Sequence, residues 1–207
     1  MLDIGARALA FLMPNGPPTR FIPRVRVHDV ARAIDLDPGA HREAILRLWR
    51  THGRVMRFLE GAELGSTDAV GLARYLAAVS IRVFQTEGRS RAPTRAELDA
   101  AQRRVADLLP SVLPLGPDLT DAARAVERAQ PHVLDELLDT LFVWPGPSVA
   151  DEREKVRIYV ALWAVVDALD RCWTPPRSFC GDATYVRVHV PPPPVEEPPE
   201  PEELHVV

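Results

Sequence analysis

Arginine is the residue whose spacing in this chain points most directly to chemistry. Arg47, Arg50, Arg54 and Arg57 recur at i, i+3, i+7 and i+10, one stripe of a helix. Upstream, Arg20, Arg24 and Arg26 alternate with Phe21, Val25 and Val27. A guanidinium is a permanent cation with a planar fork of donors, so rows of arginine suit phosphate oxygens. The charge distribution agrees. Residues 1–60 carry ten arginines against six acids, residues 61–130 balance at nine against nine, and residues 131–207 carry six basic residues against fourteen acids. In a chain of net charge −4, a basic first third favours a polyanion as partner for that third.

Other reactive residue types are scattered. The six histidines, His28, His41, His52, His132, His189 and His205, include no H-E-x-x-H or similar metal spacing. Cys172 and Cys180 are separated by seven residues, which is neither a zinc pattern nor a disulfide framework. They read as thiols of a reducing compartment, with one short bridge as the alternative. No G-x-S-x-G, P-loop or G-x-G-x-x-G occurs. Asp167 and Asp170, at i and i+3 beside Arg171, read as a solvated helix end. The chain is therefore expected to be non-enzymatic, with no cofactor and no metal.

The 207 residues fit one domain with a tail, or two small domains. A hydrophobic content of 46% is enough for a core, and the 21 prolines are far above ordinary usage. Lys155 is the only lysine. The longest uncharged apolar run, Ile158–Val166, is nine residues, far short of a membrane span. The first sixteen residues lack a basic start and a signal-length apolar run. A cytoplasmic protein with no membrane partner is expected.

These residues must be positioned by a mainly α fold: a helical bundle with a small N-terminal β-hairpin and a disordered Pro/Glu-rich C-terminal tail. The hairpin would pair Ala8–Met13 with Thr19–Val27 across the turn Pro14–Pro18. Helices are expected over His28–Leu36 and Ala40–His52, separated by Asp37-Pro38-Gly39, with Gly53 bending or ending the second. Ile45, Leu48, Trp49 and His52 would face inward. Further helices are expected over Asp68–Phe84 capped by Ser66 or Thr67, Arg95–Leu109 (Thr94 and Glu97 forming a capping box), Asp121–Gln130 capped by Thr120, and His132–Phe142. The last, Val149–Trp173, would be capped by Ser148. It is apolar nearly all round, so it should be central, with Tyr159 and Trp163 as anchors. Thr184–Val190 alternates weakly like a strand. The domain boundaries implied are 1–60, 61–175 and 176–207.

Across Val25–Arg57, Val27–Ile34 reads as a supporting helix, Leu36-Asp37-Pro38-Gly39 as a turn and Ala40–Thr51 as a second helix. This stretch resembles the helix-turn-helix of bacterial and phage regulators, and with the hairpin before it the N-terminal domain of phage antirepressors. The resemblance covers about a quarter of the chain. It implies a DNA-binding regulator. His41 and Arg42 would face base edges, while Arg24, Arg26, Arg47, Arg50, Arg54 and Arg57 would contact phosphates. It also implies that residues 66–173 form a homodimerisation or effector region. The other reading is a helical adaptor or assembly protein with a protein partner. Pro191, Pro192, Pro193 and Pro194, followed by acids, resemble the proline-rich ligands of EVH1 domains, so that partner would be met through the tail.

Overall fold

The computed structural model describes residues 21–112, 119–143 and 151–176. Its described residues are mainly helical, with one small antiparallel sheet. The helices are α1 (Arg24–Leu36), α2 (Pro38–Thr51), α3 (Gly53–Glu60), α4 (Thr67–Thr86), α5 (Arg95–Leu108), α6 (Leu119–Ala125), α7 (Pro131–Leu138) and α8 (Glu152–Arg171). The strands are β1 (Arg89–Ser90) and β2 (Trp173–Thr174). A 3₁₀ turn, Leu109–Ser111, follows α5, and α7 runs on into a π-helical stretch, Asp139–Val143.

Helix α8 is the centre. Ile158, Leu162, Val165 and Leu169 lie on one side of it and Tyr159, Trp163 and Val166 on another, and all are buried. A helix that is apolar all round is stable only when covered all round. α5 lies antiparallel along it: Glu97 approaches Cys172 at one end, and Arg104 Nε donates to Asp167 Oδ2 at 3.0 Å further along. α4 packs on another side, and its buried face includes Ala69, Ala73, Ala77 and Ala78. One apolar cluster runs from Ile22 and Val27 through Leu48 and Val55 to Trp173.

The expected strand Thr19–Val27 is overturned from Arg24 onward, because α1 begins there. Pro23 is the residue before the helix, where its extended backbone fits and its missing N–H costs nothing. The alternation of valine with arginine was read with a period of two. The residues that turn inward are Val27, Val30 and Ile34, at helical spacing, and Val25 is exposed. The other hairpin strand, its turn, Ser148, Thr184–Val190 and the proline-rich tail lie outside the described residues. The sheet that is present joins the α4–α5 connection to the end of α8, in the register Arg89↔Thr174 and Ser90↔Trp173. Gly88 makes room for it: a Cβ there would meet the Trp173 indole and the Thr174 carbonyl oxygen, the latter at 2.6 Å.

The breaks between the first three helices are each a single residue. Asp37 leaves the helical region (φ −135°, ψ 76°) because Pro38 disfavours helical backbone in the residue before it. Its carboxylate accepts from the Ala40 N–H at 2.9 Å and caps α2. Pro38 and Gly39 therefore belong to the first turn of α2 and not to a loop. His52 makes the second break, one residue before the Gly53 expected to bend or end the helix; Gly53 instead opens α3, on which Arg54 and Arg57 fall. Elsewhere the caps Thr94–Glu97 and Ser66 form as expected. The helix expected over 121–130 closes early, at Ala125, and α8 is capped by Asp151, whose Oδ1 accepts from Glu154 N–H at 2.8 Å. Asp167 and Asp170 are not a solvated end: Asp167 also lies 3.7 Å from Arg171, and Asp170 accepts from Gln130 Nε2 at 2.7 Å.

Asp37→Ala removes the cap of α2 without changing its apolar contacts. The expected loss is about 1 kcal/mol, read as a melting point lower by about 2–4 °C. An unchanged melting point would show that the cap does not hold the α1–α2 corner.

Candidate binding surface on the second helix

α2 meets the body along one side only. His41 and Leu48 are buried, and Ile45 is half-buried. The His41 ring stands edge-on to Tyr75, with centroids 4.9 Å apart, and its Nδ1 lies 3.2 Å from Arg82 Nη1. His41 is only 3% exposed, so it does not face outward with Arg42 as the helix-turn-helix reading required. Two helical turns later Trp49, expected inside, is 43% exposed. The Arg74 guanidinium lies 4.7 Å over its ring, and Arg74 also pairs with Glu60. This cation–π contact steadies Trp49 at the surface.

The outward side of α2 carries Arg42, Glu43, Leu46, Arg47 and Arg50, all exposed. Helical spacing puts them opposite His41 and Leu48. Leu46 is 60% exposed and, at the α1–α2 corner, Leu36 is 77% exposed. Among the described residues, no carboxylate forms an ion pair with Arg42, Arg47 or Arg50.

The remaining arginines go elsewhere. Arg24 Nη2 binds Asp139 Oδ2 at 3.1 Å, and Arg26 Nε binds the buried Glu87 carboxylate at 3.0 Å. Their expected place was in a phosphate-binding row, but their charge is already met within the chain. The acids that meet it are 115 and 61 residues away in sequence, which no local pattern can show. Arg54 and Arg57 lie on the mouth of a cavity between α3, α5 and α8, and Arg57 Nε donates to the Gly53 carbonyl at 3.3 Å. The eight residues read from the sequence as one DNA surface thus divide into three outward arginines, two ion-paired arginines, two at a cavity and one buried histidine. Pro191–Pro194 lie outside the described residues.

Among the described residues, no group of three or more His, Cys, Asp or Glu side chains is placed to hold a metal. None of the described helices is long and apolar enough to cross a membrane. Cys172 is a free, buried thiol. Burial, and then the neighbouring Glu97, push its pKa up to about 11, so it is protonated and inert at neutral pH. No family model, no curated protein and no solved structure matches the chain.

Two outcomes follow from these environments. Burial lowers the pKa of His52 below its ordinary 6.5, and its Nε2 has no hydrogen-bond partner among the described residues. Burial likewise lowers that of His132, against the pull of Asp135. A histidine held neutral by the fold takes up fewer protons folded than unfolded, so its contribution is present above about pH 6.5 and is lost as pH falls. Thermal melts should show stability dropping from pH 7 to pH 5, with a shallower drop in His52→Leu; a flat profile in the parent chain contradicts this. In native protein at pH 8, iodoacetamide should leave Cys172 unlabelled over a time in which the urea-unfolded chain is fully alkylated, as read by peptide mass spectrometry. Rapid labelling of the native thiol would show that it is not shielded.

Proposed function

We propose that the chain is a DNA-binding protein of helix-turn-helix type whose contact surface is the outward side of α2. The observation that supports this is the trio Arg42, Arg47 and Arg50, exposed on one helix face and without a carboxylate partner among the described residues. Arg24, Arg26, Arg91, Arg104, Arg124 and Arg128 all differ in that respect, each held by an acid. A helix attached along one side only can enter a major groove, and three guanidiniums supply phosphate contacts or a bidentate guanine contact. Glu43 and the Asp37 cap bring negative charge to the start of the same helix and restrict how that end meets a phosphate.

A second reading is carried by a different observation on the same face. Leu46 and Trp49 are large, apolar and exposed beside the arginines. Tryptophan and arginine dominate the energetic centres of protein interfaces. In this reading the chain is an adaptor or assembly protein, and α2 docks a protein partner or a second copy of the chain.

The two readings separate in one set of measurements. For the full chain and random-sequence duplex DNA, fluorescence anisotropy across a salt titration should give a log–log slope of roughly −3, for about three phosphate contacts. Arg42→Glu and Arg50→Glu should each weaken binding and flatten that slope, whereas Leu46→Ala with Trp49→Ala should leave it unchanged. Absence of binding at low salt would end the DNA reading. If sedimentation then shows a dimer that Leu46→Ala with Trp49→Ala dissociates, the second reading stands.

A further inference from the structure

Between α3, α5 and α8 lies a cavity of about 680 Å³. Its origin is in residue size. Leu98 and Val105 of α5 and Ala161 and Ala164 of α8 form the floor. At positions 161 and 164 the central helix carries alanine, whereas the buried Ile158, Leu162 and Val165 on the same helix are larger. α3 contributes Phe58, and among the described residues no larger side chain fills the gap beside the alanines. The volume falls in the range of small-molecule sites, about 300–1,000 Å³.

The walls and the rim differ in chemistry. The rim carries four guanidinium groups, Arg54, Arg57, Arg95 and Arg157, from three different helices. Among the described residues, a single carboxylate stands with them, Asp99, 3.7 Å from Arg95. Neither Arg54 nor Arg157 forms an ion pair with a described carboxylate. Cations on separate helices repel one another, so an anion among them relieves the repulsion as well as pairing with each. A small anion such as phosphate would leave the apolar floor unused, and a neutral hydrocarbon would leave the arginines unused. The complement of both is a long hydrocarbon chain ending in one negative group.

We propose that this cavity binds a long-chain fatty-acid anion. The alkyl chain lies on Leu98, Val105, Ala161 and Ala164, and the carboxylate sits among Arg54, Arg57 and Arg157. The site is distinct from the α2 face, and its occupancy does not depend on whether that face meets DNA or protein.

The test uses the full chain and a fluorescent eighteen-carbon polyene acid held below its micelle concentration. Saturable one-site binding is expected, with displacement by palmitate about tenfold stronger than by methyl palmitate, because a charge-assisted contact is lost in the ester. Arg57→Glu and Arg157→Glu should each weaken binding by about tenfold or more. Ala106→Trp, at an exposed position lining the cavity, should block it while leaving the circular dichroism spectrum and melting point as in the parent. The proposal is overturned by any of three results: no saturable binding, equal displacement by acid and ester, or binding to anionic phospholipid vesicles alone and not to the monomeric acid.

Discussion

A buried guanidinium holds this fold together in a way that its apolar core alone does not. The Arg128 side chain is almost wholly enclosed, with Nη2 on Asp135 Oδ1 at 2.8 Å and Nη1 on the Tyr159 hydroxyl at 3.3 Å. Removing such a charge from water costs several kcal/mol unless its partners are in place. They are in place only when α7 and α8 are correctly apposed. Asp135 also lies 3.6 Å from Arg124, Arg124 binds Asp139 at 2.7 Å, and Asp139 binds Arg24 of α1. α1, α6 and α7 with its π-helical extension are thus set in register by one chain of alternating charge, and the Tyr159 hydroxyl joins α8 to it. Its net contribution to stability is modest. Its consequence is specificity, since a slid or rotated α1 takes Arg24 away from Asp139 and leaves the buried Glu87 without Arg26.

The same logic explains why the N-terminal helices behave differently from one another. α1 is tied down by polar contacts at several points: Ile22 N–H to Gln130 Oε1, Arg24 to Asp139, Arg26 to Glu87 and His28 to Glu136. α2 has His41 and Leu48 buried, the Tyr75 and Arg82 contacts, and a covalent link at each end. One helix is therefore locked into the bundle and the next stands out from it. That contrast leaves the outward side of α2 exposed, and it arises from where the acids of α4, α7 and the π-helical stretch happen to lie.

Much of the bundle was legible in the sequence. The Thr94–Glu97 capping box, the Ser66 cap and the all-apolar run of α8 are local signals, and each forms as read. The strand assigned to 19–27 failed because alternate Val and Arg satisfy two periods at once; only Val30 and Ile34, further along, decide for the helix. Of the candidate site, the exposure of Arg47 and Arg50 could be read from periodicity. The capture of Arg24 and Arg26 could not, because their carboxylates come from distant sequence. Nor could the cavity, which is an absence of side-chain volume shared among three helices and has no motif.

The single-residue corner at Asp37 has a thermodynamic consequence. A longer loop would let α2 shift by flexing, at little cost to the rest. Here the φ and ψ of one capped residue fix the direction of α2 relative to α1. A partner that tilted α2 would have to undo the Asp37 cap or drag α1 with it, and α1 is moored to Asp139, Glu87 and Glu136. Occupancy of α2 and integrity of the charged network are therefore linked functions: whatever grips the helix in its resting direction also shores up the moorings behind it.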